Sequence, residues 1–201
     1  MRPPIFFGVH GASLLTVISF WAVFYGWVFS EIWLSWKRRS EPGATTNDRG
    51  SKWPLIAGVW AAVALGVGLA AAFPATAITA VREGLFATGL ALMLAGLALR
   101  WYSIRMLGRS FTVDVATRPG QEVVTSGPYR WIRHPSYTGA LLTVLGILVC
   151  CLNWLSLLAF PLAVAGYVYR IRVEEAALAD GLGDAYRDYM RRTRRLIPFI
   201  V

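Results

Sequence analysis

Apolar stretches of about 20 residues, repeated along a 201-residue chain and separated by short charged segments, limit what this sequence can become. Helices of that length match the roughly 30 Å hydrocarbon core of a bilayer. Hydrophobic residues make up 56% of the chain and mean hydropathy is +0.52, too apolar for an ordinary soluble domain of this size. A single integral membrane domain over residues 1–201 is expected, all-α and polytopic. The first apolar stretch is longer than a signal-peptide core, lacks a strongly basic start and has no small-residue cleavage site before Lys37. It is expected to stay in the mature protein.

The first span covers roughly residues 11–34, the second 54–73 and the third 85–102. From His134 to Tyr169 run 36 residues without Lys, Arg, Asp or Glu, which as one helix would measure about 54 Å and overshoot a bilayer. A tight hairpin of two short helices turning near Leu152 and Asn153 fits better. Five transmembrane helices result, the last two forming a C-terminal hairpin.

Five spans place the termini on opposite sides, and the positive-inside rule tests this. Of the 20 basic residues, 18 fall on the segments after spans one, three and five, leaving only Arg2 and Arg82 opposite. The N-terminus should face outside, and the large loop and C-terminal tail the cytosol. The net charge of +9 therefore lies between apolar spans and does not form the basic face of a nucleic-acid-binding fold. Cys150 and Cys151, adjacent in an apolar run, read as small buried hydrophobes. With only His10 and His134 in the chain, no Cys/His zinc site is expected.

Ala57, Ala61, Ala64, Gly68 and Ala72 fall on one face of span two and suggest a seam of close helix packing. Gly66-Val-Gly68 within it follows no strand, so it is not a nucleotide loop. Residues 40–52, with Pro42 and Gly43, read as a flexible connector.

Two clusters carry chemistry. The segment 124–139 packs aromatic, basic and turn-forming residues just before a membrane helix, and Pro135 suits the first turn of that helix. Amide groups of that turn are available to a ligand carboxylate or hydroxyl, beside Tyr129, His134 and Tyr137. The same composition also describes an interfacial belt of Trp, Tyr and Arg. The second cluster, Tyr169-Arg-Ile-Arg-Val-Glu-Glu175, lies where span five leaves the membrane, and Arg170 and Glu174 share a helical face on which they can pair. Such a pair is either a surface ion pair or, because it ends an apolar hairpin, part of a functional site. Arg100, at the end of span three, holds an anion or snorkels to the interface. Residues 176–195 mix Leu178, Leu182, Tyr186 and Tyr189 with many charges, the pattern of a cytosolic amphipathic helix.

In order and spacing, Gly127-Pro-Tyr129, Arg133-His-Pro-Ser-Tyr-Thr-Gly139, Glu174-Glu-Ala-Ala-Leu178, Gly183-Asp-Ala-Tyr186 and Leu196-Ile-Pro198 resemble the isoprenylcysteine carboxyl methyltransferase family and its bacterial relatives. The resemblance covers residues 100–201, which it implies are the cofactor-binding and catalytic half. It implies S-adenosylmethionine as cofactor, held by Gln121, Glu122, Val123, Val124, Tyr129, His134, Pro135, Ser136, Tyr137 and Glu174. Arg170 is assigned to the substrate, with Arg170 and Glu174 as the catalytic pair. A further polar position falls near Asp114, where some relatives carry an amide.

Methyl transfer from a sulfonium is chiefly a positioning problem. A carboxylate acceptor is ionised near neutral pH and needs no base, and Arg170 suits it through a charge-assisted hydrogen bond. The resemblance leaves open a lipophilic acceptor with a carboxylate or a hydroxyl, and amine or thiol acceptors also occur among similar enzymes. Ala, Gly and Arg usage points to a bacterial cell membrane. Two other classes fit part of the pattern: an NADPH-dependent sterol-type membrane reductase and a noncatalytic membrane scaffold.

Overall fold

In hydrocarbon each backbone N–H and C=O must find its partner within the chain, so apolar stretches of this length become helices. The computed structural model describes residues 5–6, 9–10, 13–37, 45–46, 48–111, 116–117 and 121–198. Six α-helices occur among them: α1 (Leu14–Lys37), α2 (Lys52–Ala72), α3 (Arg82–Leu107), α4 (Pro135–Cys150), α5 (Phe160–Leu182) and α6 (Asp184–Arg192). Two small antiparallel ladders accompany them. Strand β1 (Ile5–Phe6) pairs with β2 (Val9–His10), and β3 (Thr45–Thr46) with β4 (Ala116–Thr117), in the register Thr45 to Thr117. The second ladder joins the α1–α2 connector to the α3–α4 loop.

Helices α1, α2 and α3 and the segment Trp154–Leu182 are long and apolar enough to cross a membrane. The remaining arm of the expected hairpin, α4, has 16 residues and is about 24 Å long. It is also the most enclosed helix, burying Ala140, Val144, Ile147 and Leu148 among others. Helix α1 is the opposite case. It buries only Phe20, Trp27 and Leu34, a single stripe at seven-residue spacing, and leaves Leu15, Phe29 and Trp36 exposed.

The hairpin turns where expected. Leu152 adopts a positive φ of 52°, and the Asn153 side chain accepts from Leu155 N at 3.0 Å before a 3-10 turn over Trp154–Ala159 leads into α5. Asn153 also ties this end of the bundle to the α2–α3 connection, donating to Phe73 O at 3.0 Å and accepting from Thr76 Oγ1 at 2.9 Å. Cys150 and Cys151 are buried free thiols.

The small-residue seam is not the one read from span two. Ala57, Ala61, Ala64, Gly68 and Ala72 are exposed, and α2 packs instead through the adjacent face of Gly58, Ala62, Gly66 and Ala70. Small residues line both sides of that helix, so composition alone does not choose between them. The closest approach in the bundle is between α3 and α4. A Cβ built on Gly139 would lie 2.5 Å from Gly96 O, and one on Gly146 would lie 2.5 Å from Gly89 O. Glycines seven residues apart on each helix therefore set two backbones against each other.

Candidate functional site

The tight α3–α4 seam fixes the start of α4, and the site is built there. Pro135 opens the helix at its first position, fully buried. The Tyr137 and Thr138 amides both return to His134 O at 3.0 Å. The first turn thus offers a ligand fewer amides than expected.

The C-terminal tail straps this turn from outside. Arg133 N donates to Arg194 O at 2.7 Å, His134 N to Arg195 O at 3.0 Å and Thr138 Oγ1 to Leu196 O at 2.7 Å. Tyr189 of α6 donates to Tyr129 O at 2.7 Å. Beneath the strap lies Glu175, whose side chain is only 4% exposed. It accepts from Arg133 Nε at 2.7 Å and Arg195 Nε at 3.0 Å, and lies 3.4 Å from His134 Nε2. The stretch 176–195 is not one amphipathic helix: α5 runs on through Leu182, the chain turns at Gly183 with φ 60°, and the short α6 buries Tyr186 and Tyr189 beneath a charged outer face.

Between this strap and the end of α3 opens a cleft with about 840 Å³ of empty space, part of it open to solvent. Gln121, Glu122, Val123, Val124, Tyr129, His134, Ser136, Tyr137, Arg170 and Glu174 all line it. Pro135 lies behind the wall. Sequence reasoning missed Phe111, Arg133, Leu178, Leu182, Tyr186 and Tyr189 as wall residues. The last four had a usable signal, since they are the apolar and aromatic residues of the stretch read as amphipathic; Leu178 and Leu182 sit on the end of α5, and Tyr186 and Tyr189 on α6. Asp114 lies outside the described residues.

Electrostatics keep the tyrosines of this wall as donors. Burial, with the Glu174 charge next in importance, pushes the Tyr129 and Tyr186 phenols well above the usual range. Burial pushes Tyr189 up to about 12 against the opposing pull of Arg133. The His134 ring stacks on Tyr137 with centroids 5.4 Å apart and planes 3° from parallel.

Two expectations about the arginines need correction. Arg170 and Glu174 are linked through Tyr137: its hydroxyl donates to Glu174 Oε2 at 2.6 Å and accepts from Arg170 Nε at 3.5 Å. Arg170 Nη1 turns the other way, donating to Asp48 Oδ1 and, at 2.7 Å, to Ser51 Oγ. Sharing a helical face made the direct pair possible, but a carboxylate from the α1–α2 connector competes for the guanidinium. Arg100 does not snorkel. It is 9% exposed, makes a two-pronged pair with Glu31 of α1 at 2.5 and 2.6 Å, and donates to Ser136 Oγ at 3.0 Å. Asp48, Ser51 and Glu31 carried no visible sequence signal because each partner lies far away along the chain.

A second cavity, with about 1,570 Å³ of empty space including open solvent, lies between α1, α2 and α5. Trp27, Ile32, Leu55, Trp60 and Tyr167 give it apolar and aromatic walls. It shares Phe111, Tyr137 and Arg170 with the first cleft. A polar cleft at the helix ends and an apolar cavity among the helices therefore meet at these side chains.

Comparison with known proteins agrees with this architecture. The chain matches the isoprenylcysteine carboxyl methyltransferase family over residues 89–180. It is 35% identical over 115 residues to protein-S-isoprenylcysteine O-methyltransferase B of Arabidopsis thaliana, covering 56% of this chain and 58% of that one. It is 32% identical over 131 residues to the protein-S-isoprenylcysteine O-methyltransferase of Schizosaccharomyces pombe, covering 64% of this chain and 56% of that one. The solved structure of a eukaryotic intramembrane Ras methyltransferase, an isoprenylcysteine carboxyl methyltransferase, superposes with a TM-score of 0.55 at 28% identity, covering 73% of this chain and 51% of that one. The chain thus spans just over half the length of these relatives. These relatives are methyltransferases by name, and the solved one is intramembrane. The match to the isoprenylcysteine carboxyl methyltransferase family lies on residues 89–180, the stretch that builds α4, most of α3 and most of α5.

Proposed function

We propose that this chain is an S-adenosylmethionine-dependent methyltransferase acting on the oxygen of a lipophilic acceptor, a carboxylate or a hydroxyl. The observation that carries the reading is the meeting of two unlike cavities at Tyr137 and Arg170. Methyl transfer to a lipid-borne group needs a water-side donor and a membrane-side acceptor brought together in line.

The cleft residues fit the donor. Glu174, Glu122 and the tyrosine faces suit its cationic centre, His134 and the tyrosine hydroxyls its polar groups, and Val123, Val124, Leu178 and Leu182 its apolar edge. When bound, S-adenosylmethionine supplies an electrophilic methyl group on a sulfonium. Residues 121–137 and Glu174 hold it, while Arg170 orients the acceptor oxygen from the other side. Residues 100–201 form the cofactor-binding and catalytic half, and α1 and α2 complete the acceptor cavity. In a bacterial cell membrane the basic loops and tail face the cytosol, with the N-terminus outside, as the 18 to 2 division of basic residues supports.

Calorimetry in detergent tests the donor. S-adenosylmethionine and its demethylated product should both bind, and His134→Ala and Glu174→Gln should weaken both. Binding of NADPH with no response to S-adenosylmethionine would favour the reductase reading, and binding of neither the scaffold. Mass spectrometry of lipid extracts incubated with the protein and labelled methyl donor then identifies the acceptor.

A further inference from the structure

A hydroxyl among membrane helices has no bulk water to bond, and burying one without a partner is unfavourable, so each such group calls for an explanation. Tyr167 of α5 is one. It is only 5% exposed, yet its hydroxyl makes no hydrogen bond to any described residue. We infer that Tyr167 is a further acceptor-binding residue, whose phenol donates a hydrogen bond to an oxygen of the acceptor's polar end. The inference rests on the methyltransferase reading above and adds to it a residue that neither the sequence motifs nor the donor cleft singled out.

Position points to the acceptor and not to the methyl donor. Tyr167 lines the cavity among the helices and is absent from the walls of the water-side cleft. It precedes Arg170 by three residues on α5, so the two share a helical face, with Tyr167 about 4.5 Å nearer the membrane centre. Its ring lies against that of Tyr137, centroids 5.1 Å apart and planes tilted by 50°, which puts it one ring from the place where the two cavities meet. A tail entering between the helices therefore brings its polar end past Tyr167 before it reaches Tyr137 and Arg170.

The neighbouring polar groups are already engaged within the chain. Tyr137 donates to Glu174, Arg100 to Glu31 and Ser136, and Arg170 to Asp48, Ser51 and the Tyr137 hydroxyl. The Tyr167 hydroxyl stands in the field of Arg100, Glu31 and Arg170, and the two guanidinium groups favour an oxygen with lone pairs as the arriving partner. A phenol held by ring packing loses little freedom when it makes that bond. With a carboxylate acceptor, one oxygen faces the methyl group while the other takes the Tyr167 proton in a charge-assisted bond; with a hydroxyl acceptor, the bond falls on a lone pair of the single oxygen. In both cases Tyr167 keeps its proton and fixes the direction from which the acceptor oxygen approaches the methyl carbon.

The test is Tyr167→Phe in the full chain in detergent, which removes one oxygen and keeps the ring against Tyr137. Because that oxygen bonds to no described residue, the melting temperature should stay the same or rise. Affinity for S-adenosylmethionine, measured by calorimetry, should not change. Turnover is followed with labelled S-adenosylmethionine and two probes of matched alkyl tail, one ending in a carboxylic acid and one in a phenol. For whichever probe the wild type methylates, kcat/KM should fall: roughly 10-fold to 100-fold for the acid, whose charge strengthens the bond, and roughly 2-fold to 10-fold for the phenol. Unchanged kcat/KM would overturn the inference, and so would a lower melting temperature, which would show that the hydroxyl serves the fold. If the wild type methylates neither probe, their binding in the presence of the demethylated donor product decides: tighter binding to the wild type than to Tyr167→Phe upholds the role, and equal or no binding overturns it. Absence of donor binding, with probe binding still weakened by Tyr167→Phe, would overturn the methyltransferase reading alone.

Discussion

Substituting Gly139 by alanine tests whether the α3–α4 seam is what holds the site in register. The added Cβ would lie 2.5 Å from Gly96 O, 2.7 Å from Arg100 N and 3.1 Å from Arg100 Cα, all backbone atoms that no rotamer change can move. Ordinary contact begins near 3.4 Å, so the helices must part by roughly 0.5–1 Å, a gap at which each facing pair forfeits about a quarter to a half of its dispersion energy. Overpacking of this kind costs about 1–3 kcal/mol, against a gain of about 0.5–1 kcal/mol for replacing a helical glycine. A net loss of up to about 2.5 kcal/mol, centred near 1, remains. Gly68 supplies the control, because a Cβ there meets nothing within 4 Å. Thermal unfolding in one detergent should show Gly139→Ala melting below wild type and Gly68→Ala at or above it. Because Arg100 is pushed directly, its bond to Ser136 in the cleft wall should suffer too, and Gly139→Ala should bind the methyl donor more weakly. Equal or higher stability of Gly139→Ala would refute the close-contact account.

The other predictions concern the site and its orientation. Arg170→Lys keeps the charge but cannot serve Asp48, Ser51 and Tyr137 together, so it should reduce turnover roughly 10-fold to more than 100-fold with little change in donor affinity; single-turnover rates with a confirmed acceptor check this. Glu175→Ala leaves the guanidinium of Arg133, 8% exposed, without its carboxylate, and should cost about 3–5 kcal/mol of stability and loosen the strap over His134. Loss of its pair with Arg195, 44% exposed, should add little. Melting curves and donor titrations measure both effects. With Cys150 and Cys151 replaced, a cysteine at Ala75 in intact cells should react with an impermeant thiol reagent and one at Ala185 should not; the reverse pattern would invert the topology.

The local features were legible in the sequence because each depends on residues close together in the chain. Apolar runs specify helices, the uncharged 36-residue stretch demanded a turn near Leu152 and Asn153, and the aromatic–basic segment before Pro135 announced a site. The resemblance pointed to the cleft residues, and every one of them except Pro135 lines the cleft. Tertiary structure decided which neighbour each side chain met. Small residues occur on both faces of α2, and only the position of α5 selects Gly58 over Ala57. Arg170 lies one turn from Glu174, yet its guanidinium goes to Asp48, 122 residues earlier, while Arg100 reaches Glu31 across 69 residues. A buried cation must find a counter-charge wherever the packing brings one. Sequence spacing describes a helix surface well, but which carboxylate arrives from another helix is settled only when the bundle closes.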